Sequence, residues 1–264
     1  MLNKVAWIFR ALRYSRGMTR LDQALVERGI CESREKAKRA VMAGLALING
    51  QPARKASDSV RPGDNLTLAI PEKFVSRGGH KLAHALQHFQ LDVTGLAAID
   101  LGASTGGFTD CLLQAGARQV FAVDVGHGQL AWKLRNNAQV HVMEKTNARH
   151  LTPAQFPAPF SPADLIVIDC SFISLRKILP PAVALLRTPG RIVALIKPQF
   201  EAGKAEVDKG AGVITDAAIH ERVLHELEMF VADETALRWC AVTESPLIGP
   251  AGNKEFLVLI EKNG

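Results

Sequence analysis

Four charged residues stand where apolar or turn sequence would otherwise continue: Lys81, Asp169, Lys197 and Glu255. Asp169 ends the run Leu165-Ile166-Val167-Ile168-Asp169, and Lys197 ends Ile192-Val193-Ala194-Leu195-Ile196-Lys197 just before Pro198. Lys81 follows Arg77-Gly78-Gly79-His80 at the start of a helical pattern, and Glu255 follows Gly252-Asn253-Lys254 where the last apolar strand begins. A charge after several apolar strand residues has to be paired or functional, because burying it alone is costly. Two lysines between two carboxylates suit proton removal from a hydroxyl. An amine acts as a base only when neutral, a form favoured by a second ammonium nearby and by partial desolvation. In that arrangement Lys197 is the base, Asp169 and Glu255 orient it, and Lys81 tunes its charge state and steadies a substrate phosphate. Structural ion pairs are the competing explanation of the same four residues.

A glycine-rich turn lies at the end of the first strand of the same region, in Ile99-Asp100-Leu101-Gly102-Ala103-Ser104-Thr105-Gly106-Gly107-Phe108. Ligands of open α/β sheets bind outside the carboxyl ends of strands, where glycine lets the backbone approach them closely. The spacing is not the G-x-G-x-x-G of dinucleotide sites, and no Gly-Lys-Ser/Thr ending marks a P-loop. The turn fits the methionine end of S-adenosylmethionine better than a pyrophosphate. Asp124 ends the next strand, 22 residues after Gly102, where a carboxylate can accept bonds from ribose hydroxyls. NAD would use the same acid. Asn147, after the third strand, is placed to read an adenine edge or simply to cap a turn. The candidate cofactor residues are therefore Asp100, Gly102, Ala103, Ser104, Gly106, Gly107, Phe108, Asp124, Val125, Asn147 and Asp169.

The elements that position these residues follow from hydrophobic period. Strands are predicted at 97–101, 120–125, 140–143, 165–169, 192–197, 238–242 and 256–260, with helices at 81–89, 107–115, 129–136, 175–186 and 216–231. Continuous apolar strands separated by helices indicate an α/β, Rossmann-like sheet, mostly parallel and covered on both faces. The last two strands lack a long helix between them, which predicts an antiparallel strand at one edge. Residues 201–212, rich in glycine and charge, suit a mobile lid or an ordinary surface loop.

Upstream, a small α+β domain is predicted over residues 19–71, with a connector at 72–76 and the larger domain from 77 to 264. Its first helix starts from Thr19 as N-cap and stops at Gly29. The second runs from Ser33 to Gly44, with Arg34, Lys36, Lys38 and Arg39 outside. Short strands at 45–49 and 65–70 flank the turns Asn49-Gly50 and Arg61-Pro62-Gly63-Asp64. The net charge of +6 is uneven: residues 1–72 hold 13 Lys/Arg against 7 Asp/Glu, the remainder 19 against 19. A basic module on a neutral domain points to a polyanion. Residues 1–18 read as a disordered leader or as the product of a start assigned upstream of Met18.

The four cysteines are scattered, with no histidine at metal-ligand spacing, so reduced thiols and no metal are expected. No apolar run reaches the roughly 18 residues of a membrane span. Cytoplasmic location without stable membrane association is the expectation.

From Arg20-Leu21-Asp22 through Ser33-Arg34-Glu35-Lys36-Ala37 to Ile48-Asn49-Gly50 and Arg61-Pro62-Gly63-Asp64, the first domain resembles the alpha-L RNA-binding module of a small-subunit ribosomal protein. The resemblance implies RNA contacts through Arg20, Arg34, Lys36, Lys38 and Arg39. From Thr19 onward the chain is similar to the TlyA-type (hemolysin A) proteins, among the FtsJ-like ribose methyltransferases. The motifs are Ser76-Arg77-Gly78-Gly79-His80-Lys81, Asp100–Phe108, Val123-Asp124-Val125-Gly126, Asp169-Cys170-Ser171-Phe172-Ile173-Ser174, Lys197-Pro198-Gln199-Phe200-Glu201 and Gly252-Asn253-Lys254-Glu255-Phe256. This resemblance implies a Lys-Asp-Lys-Glu tetrad at Lys81, Asp169, Lys197 and Glu255, S-adenosylmethionine as cofactor, and 2′-O-methylation of ribosomal RNA, with cytidine as target. The rivals are a non-catalytic RNA-binding protein, a membrane-active hemolysin and an NAD-dependent oxidoreductase.

Overall fold

A computed structural model describes residues 17–69 and 72–263, so residues 1–16 of the expected leader lie outside the described residues. Two compact units divide at residues 72 and 73. In the first, β1 (Thr19–Arg20) pairs antiparallel with β4 (Ser59–Val60), and β3 (Gln51–Pro52), β2 (Ala46–Ile48) and β5 (Leu66–Leu68) form a three-stranded antiparallel sheet. Helices α1 (Leu21–Glu27) and α2 (Arg34–Met42) enclose Leu21, Leu25, Ala37, Val41, Ala46, Val60 and Leu66. Ser33 caps α2 by accepting the Lys36 N–H at 3.2 Å, which removes one of the orphan donors of a first turn. Thr19 does not cap α1, contrary to expectation. It lies in β1 opposite Val60, and the first-turn N–H groups of Leu21 and Asp22 bond instead to the carbonyls of Asp58 and Ala56.

The second unit is a seven-stranded sheet flanked by helices. Its strands are β6 (Ala97–Leu101), β7 (Gln119–Val123), β8 (Val140–Met143), β9 (Ala163–Ile168), β10 (Leu186–Ile196), β11 (Arg238–Glu244) and β12 (Phe256–Lys262), in the order β11-β12-β10-β9-β6-β7-β8. The expected reversal is at one edge. β12 runs antiparallel to both β10 and β11, so the reversed strand lies one place inside the edge strand β11. Side chains alternate between two cores: Ile99, Leu101, Ile166, Ile168, Ile192 and Ile196 face one, Ala98, Leu165, Val167, Val193 and Leu195 the other. That is why these strands read as unbroken apolar runs. Helices α6 (Leu179–Leu185) and α9 (Ala217–Glu234) contribute to the first core, and α3 (Gly78–His88) and α4 (Gly107–Gln114) to the second.

Several boundaries differ from expectation for identifiable reasons. Residues 73–76 are not free connector: Phe74 is buried in the second core, and the Val75 N–H donates to Asp110 at 2.8 Å. The helix expected at 129–136 shrinks to α5 (Trp132–Arg135). Gln129 accepts a bond from Ser104 Oγ and the Ala131 N–H donates to the Thr105 carbonyl, which draws this stretch toward the glycine-rich turn. The helix expected at 175–186 splits into a 3-10 turn (Leu175–Lys177) and α6, whose first positions hold Pro180 and Pro181. Proline is tolerated there because first-turn positions need no N–H donor. Residues 201–212 are structured: α7 (Pro198–Glu201) is followed by α8 (Lys204–Lys209), and Glu206 pairs with Arg222.

Candidate active site

The tetrad residues come from sites far apart in sequence and meet through sheet order. Asp169 directly follows β9 and Lys197 directly follows β10, so both lie at the carboxyl edge. Glu255 directly precedes β12, and because β12 is reversed its beginning lies at that same edge, with Phe256 opposite Ile196. Lys81 is in the first turns of α3. All four line one cavity of about 300 Å³ together with Gly102, Ala103, Ser104, Gly107 and Phe108.

Within it they form two ion pairs. Lys197 Nζ lies 2.6 Å from Asp169 Oδ1 and donates to Ser171 Oγ at 2.8 Å. Lys81 Nζ donates to Glu255 Oε2 across 174 residues of chain. The second pair is deeply enclosed, with Lys81 8% and Glu255 2% exposed. The ammonium of Lys81 is thus engaged by a buried carboxylate, which does not favour the expected role of steadying a phosphate. Arg77 lines the same cavity, is exposed and makes no ion pair among the described residues.

A second cavity of about 560 Å³ shares Gly102, Ser104, Asp169 and Ser171 with the first and is lined also by Asp124, Val125, Asn147 and Phe172. Asp124 organises its floor: Oδ2 accepts the Ser104 N–H at 2.8 Å and Oδ1 the Gly126 N–H at 2.6 Å. Ser104 is held in the left-handed region (φ 49°). Gly102 (φ +87°) is irreplaceable on two counts, since a Cβ there would lie 2.6 Å from the Asp169 carbonyl oxygen. Asn147 lines the cavity and also caps a 3-10 turn, its Oδ1 accepting the Arg149 N–H at 3.0 Å.

Two expected cofactor residues line neither cavity. Gly106 is the left-handed N-cap of α4. Asp100 is wholly buried, its Oδ2 accepting both the N–H (2.9 Å) and the hydroxyl (2.6 Å) of Thr109. It therefore fixes the start of α4 rather than reaching into the cavities. Burial, reinforced by the charges of Asp169 and Asp124, pushes its carboxyl up to about 7. Burial likewise pushes the Cys170 thiol to about 12, which leaves it without thiolate character at neutral pH.

Sequence reasoning missed Ser171, which shares the Lys197 ammonium with Asp169, and Phe172. The latter is 90% exposed with φ 62° at the mouth of the second cavity. Asp169-Cys170-Ser171-Phe172 contained the signal, a large aromatic three residues after a strand-end acid, but aromatic type alone does not report exposure.

In the N-terminal unit the expected RNA-contacting side chains divide. Arg20 and Arg34 both bind Asp22, which is completely buried (Nε–Oδ1 3.1 Å and Nη2–Oδ2 2.9 Å). The Arg20 hydrogen bond holds the Asp22 carboxyl down to about 2. These two arginines are partly structural. Lys36 pairs with Glu32 and Lys38 with Glu35 on the helix surface, while Arg39 is exposed without an ion pair among the described residues.

Comparison with known proteins agrees with this division. The model of the FtsJ-like methyltransferase family matches residues 74–262, and that of the S4 domain matches residues 19–66. The rRNA methyltransferase candidate YqxC of Bacillus subtilis is 48% identical, over 90% of this chain and 84% of that protein. The 16S/23S rRNA (cytidine-2′-O)-methyltransferase TlyA of Mycobacterium tuberculosis is 44% identical, over 90% and 88%. A solved structure of a hemolysin candidate from Streptococcus thermophilus superposes with a TM-score of 0.71 at 42% identity, covering 94% of this chain and 90% of that one. With its tetrad at one sheet edge and its N-terminal S4 domain, the chain belongs to the FtsJ-like methyltransferases, within the TlyA (hemolysin A) group.

Proposed function

We propose that this protein transfers a methyl group from S-adenosylmethionine to a ribose 2′-hydroxyl of ribosomal RNA, with cytidine as the nucleotide. The observation that carries the reading is the convergence of Lys81, Asp169, Lys197 and Glu255 on one cavity that opens beside the Gly102 turn and the Asp124 carboxylate.

The residues fit the cofactor. Gly102 and Ser104 approach closely without side-chain bulk, Asp124 offers a carboxylate for ribose hydroxyls, and the Nδ2 of Asn147 is available for an adenine edge. Bound there, S-adenosylmethionine supplies an electrophilic methyl group on a sulfonium. The chain's own residues prepare the nucleophile. As the neutral amine, Lys197 Nζ accepts the proton of the ribose hydroxyl and becomes the ammonium that pairs with Asp169, while Asp169 and Ser171 hold that nitrogen in place. The Lys81–Glu255 pair fixes the opposite wall with no loose buried charge. Orientation of the hydroxyl toward the methyl group and removal of its proton are what a poor nucleophile requires.

RNA is held by the S4 domain, through Arg39, Lys36 and Lys38, with Arg77 on a phosphate near the reacting ribose. Phe172 offers an exposed ring for stacking on an unpaired base, a common way of binding single-stranded RNA. Among the described residues no helix is long and apolar enough to cross a membrane. A cytoplasmic enzyme acting on ribosomal subunits accords with these features.

The test is mass-spectrometric mapping of ribose methylation on ribosomal RNA incubated with the protein and S-adenosylmethionine. A new 2′-O-methylcytidine is expected; methylation confined to bases would overturn the assignment of the ribose.

A further inference from the structure

Glu255 is carried by the irregular turn between β11 and β12, yet its carboxylate has to be held against Lys81. Asn253, two residues earlier and 1% exposed, makes three bonds that order this turn. Its Oδ1 accepts the Ile214 N–H at 2.8 Å, its Nδ2 donates to the Gly212 carbonyl at 2.9 Å, and its own carbonyl accepts the Gly249 N–H at 2.9 Å. The carbonyl of Ile214 is taken in turn by His220 Nε2, which donates at 3.0 Å. The His220 ring meets Phe256 edge-on, with centroids 5.6 Å apart. The strand of chain from 212 to 214 is therefore gripped by residues on both sides of Glu255. Gly249 backs directly onto the carboxylate, since a Cβ there would lie 2.6 Å from Glu255 Oε1.

The same segment reaches the other half of the tetrad. It begins beside Lys197, and its Glu201 accepts bonds from Ser174 Oγ at 2.6 Å and the Leu175 N–H at 2.8 Å, closing the loop that starts at Asp169. Residues 198–214 thus tie the loop after Asp169 to the turn that carries Glu255, a strap where a lid or free loop was expected.

We infer that Asn253 is a positioning residue for methyl transfer, fixing the Glu255 carboxylate against Lys81 through the Gly212–Ile214 strap. The inference rests on Glu255 acting in that reaction. Two satisfied bonds from one buried amide leave the turn a single arrangement, and misplacement by about 1 Å can cost on the order of 100-fold in rate.

The experiment compares Asn253→Ala, Glu255→Gln and the double variant in methyl transfer to ribosomal RNA, with S-adenosylmethionine affinity from calorimetry and exchange of the Ile214 amide from NMR. Asn253→Ala is expected to lower kcat by about 10-fold to 100-fold with KM for RNA and cofactor affinity unchanged. The Ile214 amide should lose protection, and the double variant should be no slower than Glu255→Gln alone, as residues acting as one unit are non-additive. Wild-type kcat with the Ile214 amide deprotected would overturn the proposal. So would a fully additive loss, or parallel loss of kcat, RNA KM and cofactor affinity, which marks a general structural role. If Glu255→Gln itself keeps wild-type kcat, the reading of the site fails instead. Should Asn253→Ala not fold, Asn253→Asp keeps the acceptor for Ile214 and replaces the donor to Gly212 by a carboxylate oxygen facing that carbonyl. Its kcat should fall part of the way, and wild-type kcat refutes the positioning role.

Discussion

The Lys81–Glu255 pair separates a structural from a functional explanation of the tetrad most directly, because both partners are enclosed. Replacing Glu255 by Ala leaves a buried ammonium without its counter-charge, a change that costs about 3–5 kcal/mol. At about 2–4 °C per kcal/mol for a unit of this size, the melting temperature should fall by roughly 6–20 °C. Replacing both partners by apolar residues of similar volume, Lys81→Met with Glu255→Leu, removes both charges together and should return stability to near the wild-type value. Differential scanning calorimetry measures the first effect, and tritium transfer from labelled S-adenosylmethionine to ribosomal RNA measures activity. The double variant is expected to melt within a few degrees of wild type and to transfer methyl groups at least about 100-fold more slowly. A double variant that is stable and fully active would show that the pair only holds the fold.

Further outcomes are expected at four places in the chain. Lys197→Ala should abolish methyl transfer while calorimetry shows cofactor binding retained; activity that persists at neutral and high pH alike would remove Lys197 as the base. Gly102→Ala places a Cβ against the Asp169 carbonyl at positive φ. It should cost about 1–2 kcal/mol for the left-handed backbone and about 1–3 kcal/mol for overpacking, and unchanged melting and cofactor affinity would refute that close approach. Asp100, raised to about 7, favours the folded state fully only below its ordinary value of 3.8, and this contribution is lost as pH rises toward 7. Calorimetric stability of the cofactor-free protein should therefore decline over that window and decline less in Asp100→Asn; an equal slope in both excludes Asp100 as its source. In the S4 domain, Arg39→Ala, Lys36→Ala and Lys38→Ala should each flatten the salt dependence of RNA binding by about 0.7–0.9 per lost phosphate contact. Arg34→Ala should instead destabilise the domain, because Asp22 is buried, and a stable Arg34→Ala domain would argue against that distinction.

Local pattern alone was enough for much of this molecule. Apolar runs buried on both faces announced β6, β7, β9 and β10, and the charges at their ends announced Asp169 and Lys197, because period and polarity are properties of adjacent residues. Tertiary structure alone decided which of these charges pair. The reversal of β12 brings the start of a late strand to the edge where Asp169 and Lys197 emerge, and Lys81 meets Glu255 only through that sheet order. Burial was equally invisible in one dimension. Asp100, expected beside the cofactor, is enclosed under Thr109, Arg20 and Arg34 are drawn onto Asp22, and Phe172 stands exposed. Whether a polar side chain serves a ligand or the fold depends on the neighbours that long-range packing gives it, and residue type and spacing do not contain that information.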